Sequence, residues 1–185
     1  MTRIDALMRL SPVIPVLIIE EPARAQPLAR ALVARGYPVL EVTLRTSAAL
    51  DVIAEMAKVD GAIVGAGTVL GARDLDAAMD AGARFIVSPG LTEPLADAAL
   101  AREVPFLPGV ATASDIMRGL DLGLDRFKFF PATAAGGIPA LKALAAPFAG
   151  CRFCPTGGIT EATAPDWLAL EAVLCVGGSW VATGL

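Results

Sequence analysis

Val39-Leu40-Glu41-Val42-Thr43-Leu44-Arg45 alternates apolar and polar side chains through seven residues, the period-two pattern of a strand. Leu40, Val42 and Leu44 share one face, and Glu41, Thr43 and Arg45 share the other. A second stretch, Arg126-Phe127-Lys128-Phe129-Phe130-Pro131, sets Phe127 and Phe129 on one face and Arg126, Lys128 and Phe130 on the other. Short β-branched or apolar runs of this kind recur along the chain. Strands are expected near Val13–Ile19, Val39–Leu44, Ala62–Gly65, Phe85–Ser88, Phe106–Pro108, Phe127–Phe130, Arg152–Cys154 and Ala172–Val176. Between them lie helical patterns at Ala23–Arg35, Ala48–Lys58, Asp74–Ala81, Glu93–Arg102, Ala113–Leu122 and Pro139–Phe148. Gly36, Gly82 and Gly123 stand where left-handed C-terminal caps would close three of these helices. Strands alternating with helices at short spacing predict an α/β fold with a parallel sheet, and eight strands are the number that closes a (β/α)8 TIM barrel. An open doubly wound sheet is the alternative. No dinucleotide fingerprint supports it: Gly65-Ala66-Gly67 followed by Gly71 has the wrong spacing and follows the third strand.

At 185 residues the chain is long enough for one domain, spanning 1–185, and short for two. The expected eighth strand lies nine residues before the end, where a full barrel adds a closing helix, so the barrel is expected to lack that helix. Hydrophobic residues make up 55 %, but charges break every apolar stretch before it reaches the ~18 residues of a membrane span. The N-terminus lacks the pattern of a secretion signal. A net charge of −4 with scattered basic residues argues against nucleic acid as a partner. These features read as a cytoplasmic globular protein.

The chain has no histidine, which removes Ser-His-Asp and Cys-His nucleophile systems and His-containing zinc sites from consideration. Cys151 and Cys154 form a C-x-x-C, but on a strand residues three apart face opposite sides, and no second pair exists. No metal site is expected. Any acid/base work falls to carboxylates, lysine, the single tyrosine or water.

Of three lysines, Lys58 and Lys142 fall on amphipathic helical segments and are expected in solvent. Lys128 sits in an aromatic strand, where an unpaired ammonium would cost several kcal/mol. Since helices cover the apolar faces of barrel strands, Glu41 and Lys128 both face inward, on strands two and six. A buried amine beside a carboxylate is the minimum set for making and breaking an imine. A plain buried ion pair has the same geometry, and parity does not choose between them.

Two glycine pairs add a second signal. Gly157-Gly158 follows strand seven and Gly177-Gly178-Ser179 follows strand eight. Loops after those strands form the recurrent phosphate site of such barrels, because glycine lets backbone N–H groups approach phosphate oxygens. Ser179 adds a hydroxyl donor. Arg45, at the C-terminal end of strand two, is placed to meet a second anionic group.

Six segments in order carry a resemblance. They are Leu40-Glu41-Val42-Thr43-Leu44-Arg45-Thr46, Gly65-Ala66-Gly67-Thr68-Val69-Leu70, Ser88-Pro89-Gly90-Leu91-Thr92-Glu93-Pro94, Phe127-Lys128-Phe129-Phe130-Pro131, Pro155-Thr156-Gly157-Gly158-Ile159 and Gly177-Gly178-Ser179-Trp180. From about Pro12 to Trp180 the chain closely resembles the 2-keto-3-deoxy-6-phosphogluconate (KDPG) aldolases. The resemblance implies a class I aldolase that needs neither metal nor other cofactor, built on a (β/α)8 barrel and usually a homotrimer. It implies cleavage of a small phosphorylated keto-deoxy acid to pyruvate and glyceraldehyde 3-phosphate, a step of the Entner–Doudoroff pathway. Carried over, Lys128 is the Schiff-base lysine and Glu41 the general acid/base. Arg45 and Thr68 would handle the pyruvate carboxylate, and Pro89 and Phe130 would line the pocket. Thr156, Gly157, Gly158 and Ser179 would line the phosphate side together with Gly177 and Gly178. Against that family pattern the closing helix is expected to be missing, and its loss would expose an apolar groove. Two rivals stand beside this reading: a sister aldolase acting on 4-hydroxy-2-oxoglutarate or the galactonate epimer, and a non-catalytic oligomeric scaffold derived from the same barrel.

Overall fold

Glycine and proline punctuation divides the chain into short strands and helices that alternate, and the computed structural model describes them over residues 3–185. The strands are β1 Val13–Leu17, β2 Val39–Thr43, β3 Ile63–Gly67, β4 Ile86–Val87, β5 Phe106–Leu107, β6 Gly109–Val110, β7 Arg126–Phe129, β8 Arg152–Phe153 and β9 Val176–Gly178. The helices are α1 Arg3–Met8, α2 Ala25–Ala34, α3 Ala49–Met56, α4 Ala72–Asp80, α5 Glu93–Ala101, α6 Ala113–Asp121, α7 Gly137–Ala145 and α8 Ala164–Leu168. Gly36, Gly82 and Gly123 follow α2, α4 and α6 with φ of 87°, 102° and 76°, the left-handed caps expected from the sequence.

The protein is an α/β fold with parallel strands. One curled sheet of six runs β5-β4-β3-β2-β1-β9, and a second of three runs β6-β7-β8. A single closed ring of eight strands was expected, and the sheets depart from it at two seams. At the first, Pro108 splits the expected strand Phe106–Pro108 into β5 and β6. Pro108 has no N–H to give a ladder, although its carbonyl still accepts from Lys128 N at 2.8 Å. At the second, β8 and β9 meet only through isolated parallel bridges, Phe153 with Val173 and Thr156 with Gly177. The last strand is also later than the expected Ala172–Val176. It starts at Val176 because its ladder with β1 begins there, Val13 opposite Val176 and Pro15 opposite Gly178. Gly177 and Gly178 therefore lie inside a strand, not in the loop after it.

Two apolar layers hold the sheets. Outside, Leu40, Val42, Phe127, Phe129 and Phe153 pack under the helices with Leu32, Ile53, Leu75 and Ile116. The Phe127–Phe153 and Phe129–Trp167 ring pairs lie 6.1 and 6.4 Å apart between centroids. Inside, Ile14, Val39, Phe85, Val87, Leu107, Cys154 and Cys175 form a separate cluster capped by Ile4 and Met8 of α1. That helix was not expected from the sequence. It closes the N-terminal end of the interior, tied to β7 through the buried Asp5, which pairs with both Arg9 and Arg126. The apolar filling below leaves the upper interior, at the strands' C-terminal ends, for polar groups. Among the described residues, no helix is long and apolar enough to cross a membrane.

Candidate active site

Inner-facing positions of β2 are Val39, Glu41 and Thr43. The first belongs to the inner apolar cluster and the other two are buried polar residues above it. On β7 the inner position is Lys128, flanked by the outward Phe127 and Phe129. Lys128 Nζ donates to Glu41 Oε1 at 2.9 Å, with side chains only 7 % and 3 % exposed. Two charges so far from water are tolerated because each satisfies the other. The ammonium also stands 5.3 Å from the centre of the Phe130 ring, a cation–π distance that restrains the flexible lysine stem.

All strands run parallel, so their C-terminal ends share one rim. The expected site residues follow those ends. Arg45 is exposed just beyond β2, and Thr68, Pro89 and Phe130 are half-buried beyond β3, β4 and β7. Thr68 is one of only two non-glycine residues with positive φ among those described, at 59°, a strain of order 1–3 kcal/mol that surrounding contacts must hold. Gly157 and Gly158 follow β8 with φ of 106° and 75°, and Thr133 N donates to Gly157 O at 3.0 Å. Thr156 is buried on the inner face above Cys154. Ser179 is exposed beyond β9.

Gly177 and Gly178 lie within β9 rather than in the loop expected after it. A Cβ at Gly177 would sit 2.2 Å from Thr156 Oγ1, and one at Gly178 would sit 1.9 Å from the Trp180 ring. Both are buried close-approach glycines within β9, and the Gly157-Gly158 turn is the one that opens to solvent. Beside Ser179 lies a cleft of about 370 Å³ lined by Leu17, Ile19, Glu20, Arg24 and Thr183. Arg24, whose Nη2 donates to Leu185 O at 3.0 Å, is a cation at this edge that sequence pattern did not single out. Its helical surroundings made it look like any solvated arginine.

The cysteines stand apart from chemistry. Cys151, Cys154 and Cys175 are buried free thiols, and Cys151 and Cys154 belong to opposite apolar layers, as strand parity requires. A hydrogen bond with Cys154, then burial, with the Glu41 carboxylate also near, raise Cys175 well above the usual thiol range, so it stays protonated and inert. Among the described residues no group of three or more Cys, Asp or Glu side chains converges in a way that would hold a metal.

Strand β3 also shapes the site, in a way that apolar alternation alone does not single out. Its positions 65 and 67 are both glycine, directly beside Glu41, and the signal was the Gly-x-Gly spacing itself, which puts two missing side chains on one face.

Beside this geometry stands what the chain is similar to. The family model for KDPG and KHG aldolases matches residues 4–184. The 2-dehydro-3-deoxy-phosphogluconate aldolase of Zymomonas mobilis is 61 % identical over 98 % of this chain and 87 % of its own length. The KHG/KDPG aldolase of Escherichia coli K12 is 53 % identical over 97 % of this chain and 85 % of its own. A crystal structure of the Legionella pneumophila KDPG aldolase, with pyruvate captured at low pH as a covalent carbinolamine intermediate, superposes with a TM-score of 0.95. It is 47 % identical, and the match covers 99 % of this chain and 89 % of that one. The chain belongs to the KDPG and KHG aldolase family.

Proposed function

We propose that this protein cleaves 2-keto-3-deoxy-6-phosphogluconate to pyruvate and glyceraldehyde 3-phosphate through a metal-independent Schiff base on Lys128, with Glu41 moving the protons. The observation that carries the reading is the 2.9 Å contact between the buried lysine and the buried glutamate, beneath the rim where the parallel strands end. Its support from relatives is their naming as aldolases, and the carbinolamine captured in the Legionella protein.

In this mechanism Lys128 passes a proton to Glu41 and attacks the C2 ketone. Glu41, directly or through a water, returns the proton as the carbinolamine loses water to give an iminium. Glu41, again a carboxylate, takes the C4 hydroxyl proton directly or through a water, the C3–C4 bond breaks, and its electrons move into the iminium to give an enamine. Glyceraldehyde 3-phosphate leaves, the remaining enamine is protonated at C3, and water hydrolyses the iminium to pyruvate and free lysine. Water leaves once and returns once, and the cycle needs no redox partner. Arg45 and Thr68 would hold the carboxylate beside C2, with Pro89 and Phe130 as walls. Thr156, Gly157, Gly158 and Ser179 would face the phosphate end, and Gly177 and Gly178 would shape that side from within β9.

We further infer that the two sheets are arcs of one (β/α)8 barrel and that residues 1–185 form a single domain. What supports this is the continuity of chain from β5 to β6 across Pro108, and the bridges between β8 and β9. A homotrimer in the cytoplasm is the assembly and setting that the family resemblance implies, and sedimentation velocity tests the first. Because the E. coli relative is named for KHG as well as KDPG, 4-hydroxy-2-oxoglutarate is the second substrate to try. The test is pyruvate release from each acid by the wild type and by Lys128→Ala. Turnover by the wild type alone is expected. A folded wild type inert on both acids points to the scaffold reading instead, and near-normal turnover by Lys128→Ala removes the Schiff-base assignment.

A further inference from the structure

Gly67 ends β3 with an ordinary strand conformation, since its φ is not among the positive values, so the backbone does not require glycine there. Glycine in a strand weakens it, and its presence marks a place where another group comes close. That group is the Glu41 carboxylate. A Cβ at residue 67 would lie 2.2 Å from Glu41 Oε1, 2.7 Å from Cγ and 2.8 Å from Cδ, and these three atoms are its nearest neighbours. The register explains the approach. Glu41 stands opposite Gly65 and Thr43 opposite Gly67, so the Glu41 side chain leans along its strand, one inner position toward the rim. The oxygen that would collide with the Cβ is the same Oε1 that accepts from Lys128 Nζ.

Gly65 provides an internal comparison. A Cβ there would lie 2.4 Å from the Phe85 ring, so the lower slot on β3 is filled by an apolar side chain of the inner cluster. The upper slot holds the carboxylate. Two glycines on one strand face thus divide the interior into a packing level and a reacting level.

We propose that Gly67 is a positioning residue for the aldol reaction: its missing side chain is the slot that holds the Glu41 carboxylate against Lys128. The kinetic part rests on the aldolase reading, whereas the steric part does not. Gly67→Ala is expected to lower kcat for KDPG cleavage by about 100-fold or more, the range of a lost general acid/base, with a smaller change in KM. In a Glu41→Gln background the same substitution is expected to cost less than about threefold, since no proton transfer remains to be misplaced. A purely structural role would cost the same in both backgrounds. The steric part is read by thermal unfolding. Gly67→Ala should melt below the wild type, and Glu41→Ala/Gly67→Ala should melt no lower than Glu41→Ala alone, because the added methyl enters vacated space. If Gly67→Ala fails to fold, recovery of folding in that double variant carries the same information. A kcat loss of equal size in both backgrounds, a Gly67→Ala enzyme within threefold of wild type, or a double variant destabilised as much as Gly67→Ala overturns the proposal. A wild type without aldolase turnover would sink the functional reading alone, and the melting comparison would still decide the slot.

Discussion

Removing the charge of Lys128 while keeping its length should destabilise the fold more than any loss of packing explains. In Lys128→Met an apolar chain of similar shape replaces the lysine stem, so no large cavity forms. What remains is a carboxylate on Glu41, 3 % exposed, whose 2.9 Å partner is gone. Breaking a buried pair from one side costs about 3–5 kcal/mol. For a chain of 185 residues each kcal/mol shifts the melting temperature by about 2–4 °C, so Lys128→Met should melt roughly 6–20 °C below the wild type. Replacing both partners, as Glu41→Leu/Lys128→Met, removes the stranded charge and should recover most of that loss. The assay is thermal unfolding followed by circular dichroism at pH 7, with urea unfolding as a check on the slope. A Lys128→Met protein melting at the wild-type temperature, or a double variant whose loss equals the sum of the singles, would refute the idea that the two charges stabilise each other.

Two other outcomes follow from the geometry. The Arg9 guanidinium, helped by Arg126 and opposed by burial, holds the Asp5 carboxyl below the usual carboxylate range. A depressed folded value means the unfolded chain binds more protons, so this contribution is full above the unfolded value of about 3.9 and is lost as pH falls through the folded one. The stability gap between wild type and Asp5→Asn should therefore be constant above about pH 5 and close in more acid solution, measured by urea unfolding across pH. A gap independent of pH down to the folded value contradicts the assignment. At the other end of the molecule, Ser179→Ala should raise KM for the phosphorylated acid with little change in kcat. It should leave cleavage of unphosphorylated 4-hydroxy-2-oxoglutarate nearly unaffected. Equal effects on both substrates would remove Ser179 from the phosphate side.

Much of the arrangement was legible in the sequence because strand parity is a strict rule. Alternation in Val39–Arg45 and Arg126–Phe130 put Glu41 and Lys128 on the inner face, and they meet there. The caps at Gly36, Gly82 and Gly123 were readable because a left-handed residue after a helix nearly demands glycine. What pattern could not supply was pairing. The last strand was placed too early because Ala172–Val176 is the more apolar run, whereas hydrogen bonding to Val13–Pro15 puts the strand over two glycines. Pro108 carried a plain warning that a strand would be interrupted there. The short helix α1 escaped notice because Arg3–Met8 is only six residues long, and its buried Asp5 is explained by two arginines, one of them 121 positions away. The steric reason for Gly67 comes from the position of Glu41, which strand pattern alone does not supply.

The Schiff-base mechanism requires the amine of Lys128. Incubation with pyruvate and sodium borohydride, followed by intact and peptide mass spectrometry, reads it directly, because borohydride fixes an imine as a stable secondary amine. One reduced pyruvate adduct per chain is expected on the peptide that carries Lys128, and none in Lys128→Ala. A folded protein that gains no adduct, or gains it on Lys58 or Lys142, would contradict that mechanism.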